Sequence, residues 1–514
     1  MAFTSLEYFL FLPIVFLLYW AFCNKSKTLQ NGLLLLASLF FYGCWDWRFL
    51  GLLLVTALST FGAGLWMSRE PENKKRWWIS FAAVLLNVGI LVYYKYSNFF
   101  IQSFADMFHL LGQEVPVSTL KIILPVGISF YTFSALSYSI DVYQKKVEAT
   151  KDVVAYLSYV TFFPSILSGP ISRATNQLPP YYEKRSFDRA KVTKGLQMVL
   201  WGLFMKLCVA DRFGIYVDAV YNNIPQHNGT TLFFASILYT IQIYADFAGY
   251  SLMAIGSGKL FGIELQTNFV RPYFAKTVTE FWRRWHISLT TWFRDYIYFP
   301  LGGNRVPKAR WMLNTMIVFV VSGIWHGAAY TFLIWGALHG LCMIVERQLY
   351  GNKIKHIPEQ LTIANIFRIL ITFNIVSIAW IFFRSDGIDN ALLMIHKMFT
   401  THGNLFVDTT TLVYGFICLA ILASKDFVEE YCNNRIIIFN NRRVTVRWGG
   451  VLCRTCDDSV IRSLFRRLVY LFPVLSYEKG IDQFYSERVV VCADSSTYRC
   501  AGRHGSLQAA RSII

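Results

Sequence analysis

The chain has 514 residues, of which 55% are hydrophobic and only 16% charged, and its formal net charge is +18. This composition excludes an ordinary soluble globular protein, in which about a quarter of the residues are charged. The excess Lys and Arg lie in short loops between apolar runs, a pattern of membrane topology rather than of nucleic-acid binding. We therefore expect a lipid bilayer as partner and no nucleic acid.

Apolar runs of spanning or near-spanning length recur from residue 8 onward. They predict an all-α polytopic membrane protein with about ten to twelve transmembrane or re-entrant helices. The first run lacks a basic n-region and a cleavage site, so we expect it to be retained rather than removed as a signal peptide. The basic loops 25–27, 69–76 and 145–151 share one side of the membrane if the N-terminus is outside.

Residues 1–100 contain apolar spans with aromatic ends, and we expect no ionisable group to be buried there. We interpret this region as scaffold. The next apolar run begins with Pro125 and Gly127, which would interrupt or start a helix. Its hydroxyl side chains would either line a cavity or be satisfied by contacts between helices.

Segment 162–173 carries two prolines and a glycine inside an apolar run. Non-helical backbone at membrane depth requires hydrogen bonds from protein or from a water-filled cavity, so we expect a re-entrant segment. For Arg173 at its end, a structural or headgroup pairing is favoured over contact with an anionic substrate.

The run 232–261 holds a single carboxylate, that of Asp246. A carboxylate at membrane depth needs a basic partner, a hydroxyl network or a proton. The sequence leaves open whether Asp246 orients a catalytic histidine or forms a structural pair.

Segment 280–300 is rich in tryptophan and arginine. If it forms one helix, Trp285 lies on an aromatic face, Arg283 and Arg294 lie along a neighbouring edge, and His286 falls between them. The segment would then be an interfacial anchor, or a rim whose arginines bind the phosphates of a soluble donor.

From residue 312 to 345 no side chain carries a fixed charge, and His326 and His339 are the groups that titrate near neutrality. A continuous helix over this run would be roughly 50 Å long, beyond the hydrocarbon core of about 30 Å. We expect a break near 322–327, with His326 at the discontinuity as a functional residue. On one continuous helix His339 would lie about 220° away from His326 and could not share its site, although a break relaxes this argument. We expect His339 to be a packed or interfacial histidine.

Ten cysteines are present, and no spacing in the main body indicates a disulfide framework or a metal site. Those of the main body are interpreted as small core residues: Cys23, Cys44, Cys208, Cys342, Cys418 and Cys432. No metal ion or bound cofactor is predicted.

Three motifs together resemble those of the membrane-bound O-acyltransferase (MBOAT) family. They are Phe281-Trp-Arg-Arg-Trp-His-Ile-Ser-Leu289, Arg294-Asp-Tyr-Ile-Tyr-Phe-Pro-Leu-Gly-Gly-Asn-Arg305 and Trp325-His-Gly327. The resemblance covers about residues 1–447, and the pattern is most similar to the alginate O-acetylation branch of the family.

The resemblance implies that His326 and His286 are catalytic and frame a central tunnel through the membrane. It further implies that acetyl-CoA in the cytoplasm is the acyl donor and that a partner acetyltransferase outside completes transfer to a polysaccharide. That polysaccharide would be alginate, another exopolysaccharide, cellulose or peptidoglycan. The location implied is a bacterial inner membrane. The side chains expected to contribute to substrate or donor binding are those of Arg283, Arg294, Trp285, Asp246 and Trp325.

In this chemistry a base deprotonates a hydroxyl, and hydrogen-bond donors stabilise the tetrahedral oxyanion. His326 suits the role of base because an apolar surrounding favours the neutral imidazole.

Residues 448–514 lose the hydrophobic pattern. We interpret this tail as the product of a frameshift, an interpretation that gene resequencing would refute if it confirmed the present frame. The alternative, a metal site begun by Cys453 and Cys456, is weak because Cys492 and Cys500 lie too far apart for the usual second pair of ligands.

Two other functional classes remain open. A transporter or flippase would use His326 and Asp246 as a proton relay, although such proteins often show two related halves and no internal repeat is visible here. A scaffold for a polysaccharide-synthesis complex would carry the histidines without using them.

Overall fold

The computed structural model describes residues 1–114, 118–351 and 360–431. These residues belong to one unit, Met1–Asn434, and they are helical with irregular connections and no strand, as predicted for an all-α protein. The tail 448–514, with the proposed frameshift and the cysteine pair, lies outside the described residues.

The α-helices of the described residues are numbered in chain order, and four of them (α7, α8, α12 and α13) are shorter than eight residues. Their bounds are α1 Leu6–Ala21, α2 Lys27–Asp46, α3 Leu50–Arg69, α4 Asn73–Leu110, α5 Ile128–Tyr143, α6 Val153–Thr161, α7 Phe163–Ile166, α8 Ala174–Gln177, α9 Arg189–Leu203, α10 Asp211–Tyr221, α11 Gly229–Leu260, α12 Val278–Arg284, α13 Ile287–Phe293, α14 Lys308–His326, α15 Tyr330–Tyr350, α16 Ile363–Arg384, α17 Ile388–Thr400 and α18 Thr409–Tyr431. Short 3₁₀ turns occur at Trp47–Phe49, Pro179–Tyr181, Ile224–Gln226 and Pro272–Phe274, and π-helical turns at Phe204–Ala210 and Arg294–Tyr298.

Five helical stretches of the described residues are long and apolar enough to cross a membrane: Lys27–Arg69, Asn73–Leu110, Gly229–Leu260, Ile363–Arg384 and Thr409–Tyr431. The chain is therefore a multi-pass membrane protein. The predicted number of ten to twelve segments remains a prediction, because several of the shorter apolar helices do not reach spanning length.

Helix α11 lies at the centre of the fold and packs along α9, α10, α16 and α17. Its contact with α9 depends on glycines, because a Cβ on Gly202 would lie 2.5 Å from the carbonyl oxygen of Gly249, and one on Gly256 would lie 2.5 Å from that of Gly195. Small residues allow such backbone contact, which gives helices in lipid their van der Waals attraction.

Two irregular segments follow the sequence-based predictions. Helix α5 begins directly after Gly127, and segment 162–173 is buried and partly non-helical. The backbone N–H of Ile171 donates to the hydroxyl of Ser288 and that of Ser172 to the hydroxyl of Ser134. Protein side chains thus supply the hydrogen bonds that irregular backbone needs at membrane depth.

Arg173, at the end of that segment, forms an ion pair with Asp295, and its guanidinium lies 5.5 Å from the ring centre of Tyr296. The structural pairing favoured by the sequence is confirmed. Of the main-body cysteines in the described ranges, Cys208 and Cys418 are buried, as expected of small core residues, whereas Cys23 and Cys342 are only partly buried and Cys44 is exposed, so the core interpretation was wrong for Cys44.

Candidate active site

The charge-free run 312–345 breaks where the sequence predicted. Helix α14 ends at His326, Gly327 is extended, and α15 begins at Tyr330. The two helices then pack back against each other, and a Cβ on Gly323 would lie only 2.2 Å from the carbonyl oxygen of Phe332. Because Gly323 has no side chain, α15 can pack closely against the end of α14.

His326 is 6% exposed and surrounded by aromatic rings. Its ring centre lies 4.9 Å from that of Trp325, 5.0 Å from that of Trp335 and 5.2 Å from that of Phe383. Its Nδ1 has no hydrogen-bond partner among the described residues. A buried imidazole nitrogen without a protein partner is available to a substrate, a water molecule or a proton.

His286 lies at a second helix break, between α12 and α13. Its φ of 43° is in the left-handed region, which non-glycine residues rarely adopt and which often marks functional sites. Its Nδ1 is 3.1 Å from Oδ1 of Asn268, while its Nε2 has no partner in the part of the chain that the structure describes. The aromatic ring of Phe247 packs edge-on against it at 4.7 Å.

Segment 280–300 does not form one continuous helix, so the helical faces described for that case do not apply. Asn268 causes the break, because its side-chain oxygen accepts hydrogen bonds from the backbone N–H and the hydroxyl of Ser288. Its main-chain carbonyl accepts another from the N–H of Ile287. A residue distant in sequence thus satisfies the first N–H groups of α13 and replaces the bonds of a continuous helix.

Trp325 lies between the two histidines. Its ring centre is 6.0 Å from that of His286 and 4.9 Å from that of His326. Its indole nitrogen has no hydrogen-bond partner within the described ranges, as is also the case for Trp335 and Trp380. Unpaired polar atoms therefore cluster in this aromatic region, as expected of a site that binds a polar substrate.

His339 is buried, as predicted, but it adjoins the site. The indole N–H of Trp282 donates to its Nδ1 across 3.3 Å, and Trp335 lies between it and His326 with ring centres 5.1 Å and 5.0 Å away. An indole nitrogen only donates, so Nδ1 of His339 is unprotonated and the ring is neutral with its proton on Nε2.

In the described ranges, neither Trp285 nor Asp246 forms a side-chain hydrogen bond with a histidine. Trp285 is a core residue that packs on Phe281 and Trp380. Asp246 forms an ion pair with Lys206, whose Nζ is 2.7 Å away, and not with a histidine. Of the two alternatives for Asp246, the structural pair is the one observed.

The predicted arginines line a cavity of about 320 Å³. Arg283 comes from α12 and Arg294 from the π-helical turn after α13, and both contribute to its wall. A third guanidinium, that of Arg347 on α15, was missed in the sequence. Its position just after the charge-free run was the available signal. The remaining lining residues are Thr279, Trp282, Leu289, Thr290, Phe293, Tyr298, Trp311, Thr315, Val318, Phe319, Ser322, Met343 and Gly351.

The cavity extends from the arginines to two residues next to the histidines, although none of the described histidines lines it. Ser322 lines it and lies one helical turn before His326 on the same face of α14. Trp282 lines it and contacts His339. In the described ranges, no carboxylate lies within ion-pair distance of Arg283 or Arg347, whereas Arg294 pairs with Asp295 at 2.8 Å.

One cation that contacts the site, the ammonium of Lys95, was not identified from the sequence. Lys95 on α4 donates a hydrogen bond to the backbone carbonyl of Trp325, so the first 100 residues do contain a partly buried ionisable group at the site. The expectation that residues 1–100 bury no ionisable group was therefore wrong. Lys95 directly follows the apolar stretch 77–94, and α4 continues beyond that stretch to Leu110, which carries Lys95 along the same helix to the site.

Fold and site define a multi-pass helical membrane protein with buried histidines and an arginine-lined cavity. Residues 39–384 match the model of MBOAT, the membrane-bound O-acyltransferase family. The chain is 35% identical over 437 residues (82% of this chain, 81% of the relative) to the probable alginate O-acetylase AlgI of Pseudomonas syringae pv. tomato. It is 33% identical over 429 residues (78% and 80%) to the peptidoglycan O-acetyltransferase of Helicobacter pylori. A more distant relative, the teichoic acid D-alanyltransferase of Bacillus subtilis, is 28% identical over 277 residues (50% and 68%).

The chain belongs to the membrane-bound O-acyltransferase family. It is an O-acyltransferase, an enzyme that transfers an acyl group to a hydroxyl. Among the described residues, no group of three His, Cys, Asp or Glu side chains could hold a metal ion.

Proposed function

We propose that this O-acyltransferase moves an acetyl group from cytoplasmic acetyl-CoA across the inner membrane of a bacterium toward hydroxyls of an extracytoplasmic polysaccharide. The observation that carries the proposal is the arginine-lined cavity, which approaches His326 through Ser322. A site for an anionic donor thus adjoins a buried base.

The volume of the cavity would suit only part of the acetyl-CoA molecule. Its volume of about 320 Å³ is at the small end of ligand pockets, so it would hold the thioester arm with the acetyl group rather than the whole nucleotide. Arg283 and Arg347 would bind donor phosphates at the mouth, because guanidinium groups match phosphate oxygens with paired hydrogen bonds.

His326 would act as general base. Its aromatic surroundings favour the neutral imidazole, which can take the proton of an attacking hydroxyl and return it to the thiolate leaving group. His286, on the other side of Trp325, would help to place the acyl group. The indole N–H of Trp325 is a candidate donor to the developing oxyanion.

The basic loops support a proposed orientation of the protein in the membrane. Lys146 lies over the ring of Tyr296, and Tyr296 donates a hydrogen bond to Asp141, so the loop after α5 and the arginine turn share one end of the molecule. A basic end is expected on the cytoplasmic side, which would put the N-terminus outside.

The acceptor is proposed as a class. The similar proteins are named for alginate and for peptidoglycan, so a bacterial polysaccharide is the acceptor that we propose. A partner acetyltransferase outside the membrane would complete the transfer. The rival relay of His326 with Asp246 finds no support, because Lys206 holds the carboxylate of Asp246.

The test is transfer of label from acetyl-CoA by membranes that carry the wild-type chain, His326→Ala or a control, His396→Ala, with the host polysaccharide present. His396 is an exposed histidine on α17, so its loss should leave transfer unchanged. We expect at least a hundredfold loss for His326→Ala at equal membrane content.

Each result decides the proposal. Loss in His326→Ala alone supports the assignment of the base. Equal transfer by all three chains would refute the role of His326. If the wild-type chain does not use acetyl-CoA but does use another acyl thioester, the proposed donor is wrong while the enzyme class stands.

A further inference from the structure

The last turn of α14 is held by α4 from outside the helix. Lys95 donates to the carbonyl of Trp325, and the hydroxyl of the next residue, Tyr96, donates to the carbonyl of Ile324 across 2.6 Å. Both carbonyls belong to the last turn of a helix, where the backbone lacks intrahelical partners. The two consecutive side chains of α4 thus form an external cap directly before His326.

The same helix also holds the other side of the break. Phe99, one turn after Lys95, packs its ring against that of Tyr330 with centres 5.1 Å apart. Tyr330 is the first residue of α15. Helix α4 therefore bridges residues 327–329, the non-helical backbone that follows His326.

The charge of Lys95 suits this position. A helix C-terminus carries partial negative charge, which a cation stabilises. The ammonium also lies 5.5 Å from the ring centre of Trp325 and 5.9 Å from that of Tyr96, within range of cation–π attraction. In the described ranges no carboxylate pairs with it, so the interactions of this ammonium are directed to the end of α14.

We propose that Lys95 is a positioning residue for acyl transfer: with Tyr96 it fixes the end of α14, and so holds the imidazole of His326 where the reacting hydroxyl and thioester meet. This inference rests on the proposed role of His326. Misplacement of a reacting group by about 1 Å can reduce rate a hundredfold, so a loose helix end would lower turnover without weakening donor binding.

The test compares kcat and KM for acetyl-CoA in four variants. Lys95→Met removes the hydrogen-bond donor and the positive charge, whereas Lys95→Arg keeps both. Tyr96→Phe removes the hydrogen bond to the carbonyl of Ile324. The control is Lys74→Met, which removes an exposed lysine from the start of the same helix.

We expect Lys95→Met to lower kcat about tenfold or more, the effect of losing one charge-assisted hydrogen bond. Its KM should stay within about twofold of wild type, because the arginine cavity is untouched. Lys95→Arg should recover most of the lost kcat, and Tyr96→Phe should show a smaller loss of kcat. A merely structural role would instead reduce the amount of folded protein and leave kcat per folded molecule unchanged.

The inference is overturned if Lys95→Met has the kcat of Lys74→Met, or if Lys95→Arg recovers nothing. If Lys95→Met does not fold, an unchanged kcat in Tyr96→Phe overturns it. His326→Ala is measured alongside: activity retained there refutes the proposed function, whereas activity lost there but kept in Lys95→Met refutes only the role of Lys95.

Discussion

The indole N–H of Trp282 donates a hydrogen bond to Nδ1 of His339, and this bond links the wall of the arginine cavity to the aromatic cluster around His326. Trp335 completes the link, since its ring contacts the rings of His326 and His339. Donor binding and chemistry are therefore expected to be separable by mutation, because the arginines and His326 lie at opposite ends of this chain of contacts.

Arg283→Ala and Arg347→Ala should each raise KM for acetyl-CoA about tenfold and change kcat little. Each removes a charged hydrogen-bond donor from the cavity wall while the base stays in place. Arg310→Ala is the control, because Arg310 is exposed and outside the cavity. Steady-state kinetics at two salt concentrations measure the effect, and a fall in kcat with unaltered KM would contradict the phosphate-binding role.

Gly323→Ala should destabilise the folded protein by about 1–3 kcal/mol, because its Cβ would lie 2.2 Å from the carbonyl oxygen of Phe332. Gly89→Ala makes the same change in α4, where nothing lies within 4 Å of the added carbon. Thermal unfolding in detergent compares the two. Equal midpoints for both variants would show that the helix pair α14–α15 can move apart without cost.

Asp246→Ala should reduce stability by about 1–3 kcal/mol, since it takes one of two carboxylates from the partly buried ammonium of Lys206. The double variant Asp246→Ala/Lys206→Met should regain part of that loss and keep acyl transfer. Thermal midpoints and label transfer are the readouts. An inactive but fully stable Asp246→Ala would instead indicate a functional carboxylate.

The carboxyl of Asp295 is expected to make the stability of the folded protein increase as the pH rises through its pKa. Burial by itself raises the pKa of this carboxyl, but hydrogen bonds from Arg294 and Arg173 and their charges outweigh it and hold the pKa below its ordinary value. A depressed folded-state pKa stabilises the protein above the unfolded pKa of about 3.9, and this contribution is lost as the pH falls through the folded value.

Asp295→Asn should therefore be less stable than wild type near neutral pH, and the difference should shrink as the pH falls below about 4. The thermal midpoint measured across this pH range checks it. Asp389→Asn, on α17, serves as the control because no ion pair involving that carboxylate is found in the described residues. A difference that grew toward low pH would contradict the sign.

The location of His326 could be predicted from local sequence alone. A run of 312–345 without fixed charge exceeds the thickness of a bilayer, and glycines on either side of His326 mark the break. The cost of an imidazole in an apolar medium then singled out this residue. Length, hydrophobicity and the cost of burial are properties of a segment, so they can be evaluated without a fold.

Only the tertiary structure shows which groups contact the residues of the site. The break at His286 depends on Asn268, the carboxylate of Asp246 is held by Lys206, and the end of α14 is held by Lys95. The arginine cavity likewise combines side chains from α12, α15 and the turn after α13. Sequence by itself determined that this is a helical membrane protein with a histidine at a helix break. Which groups surround that histidine depends on contacts between segments distant in the chain, and only their packing sets the distances over which hydrogen bonds and charges act.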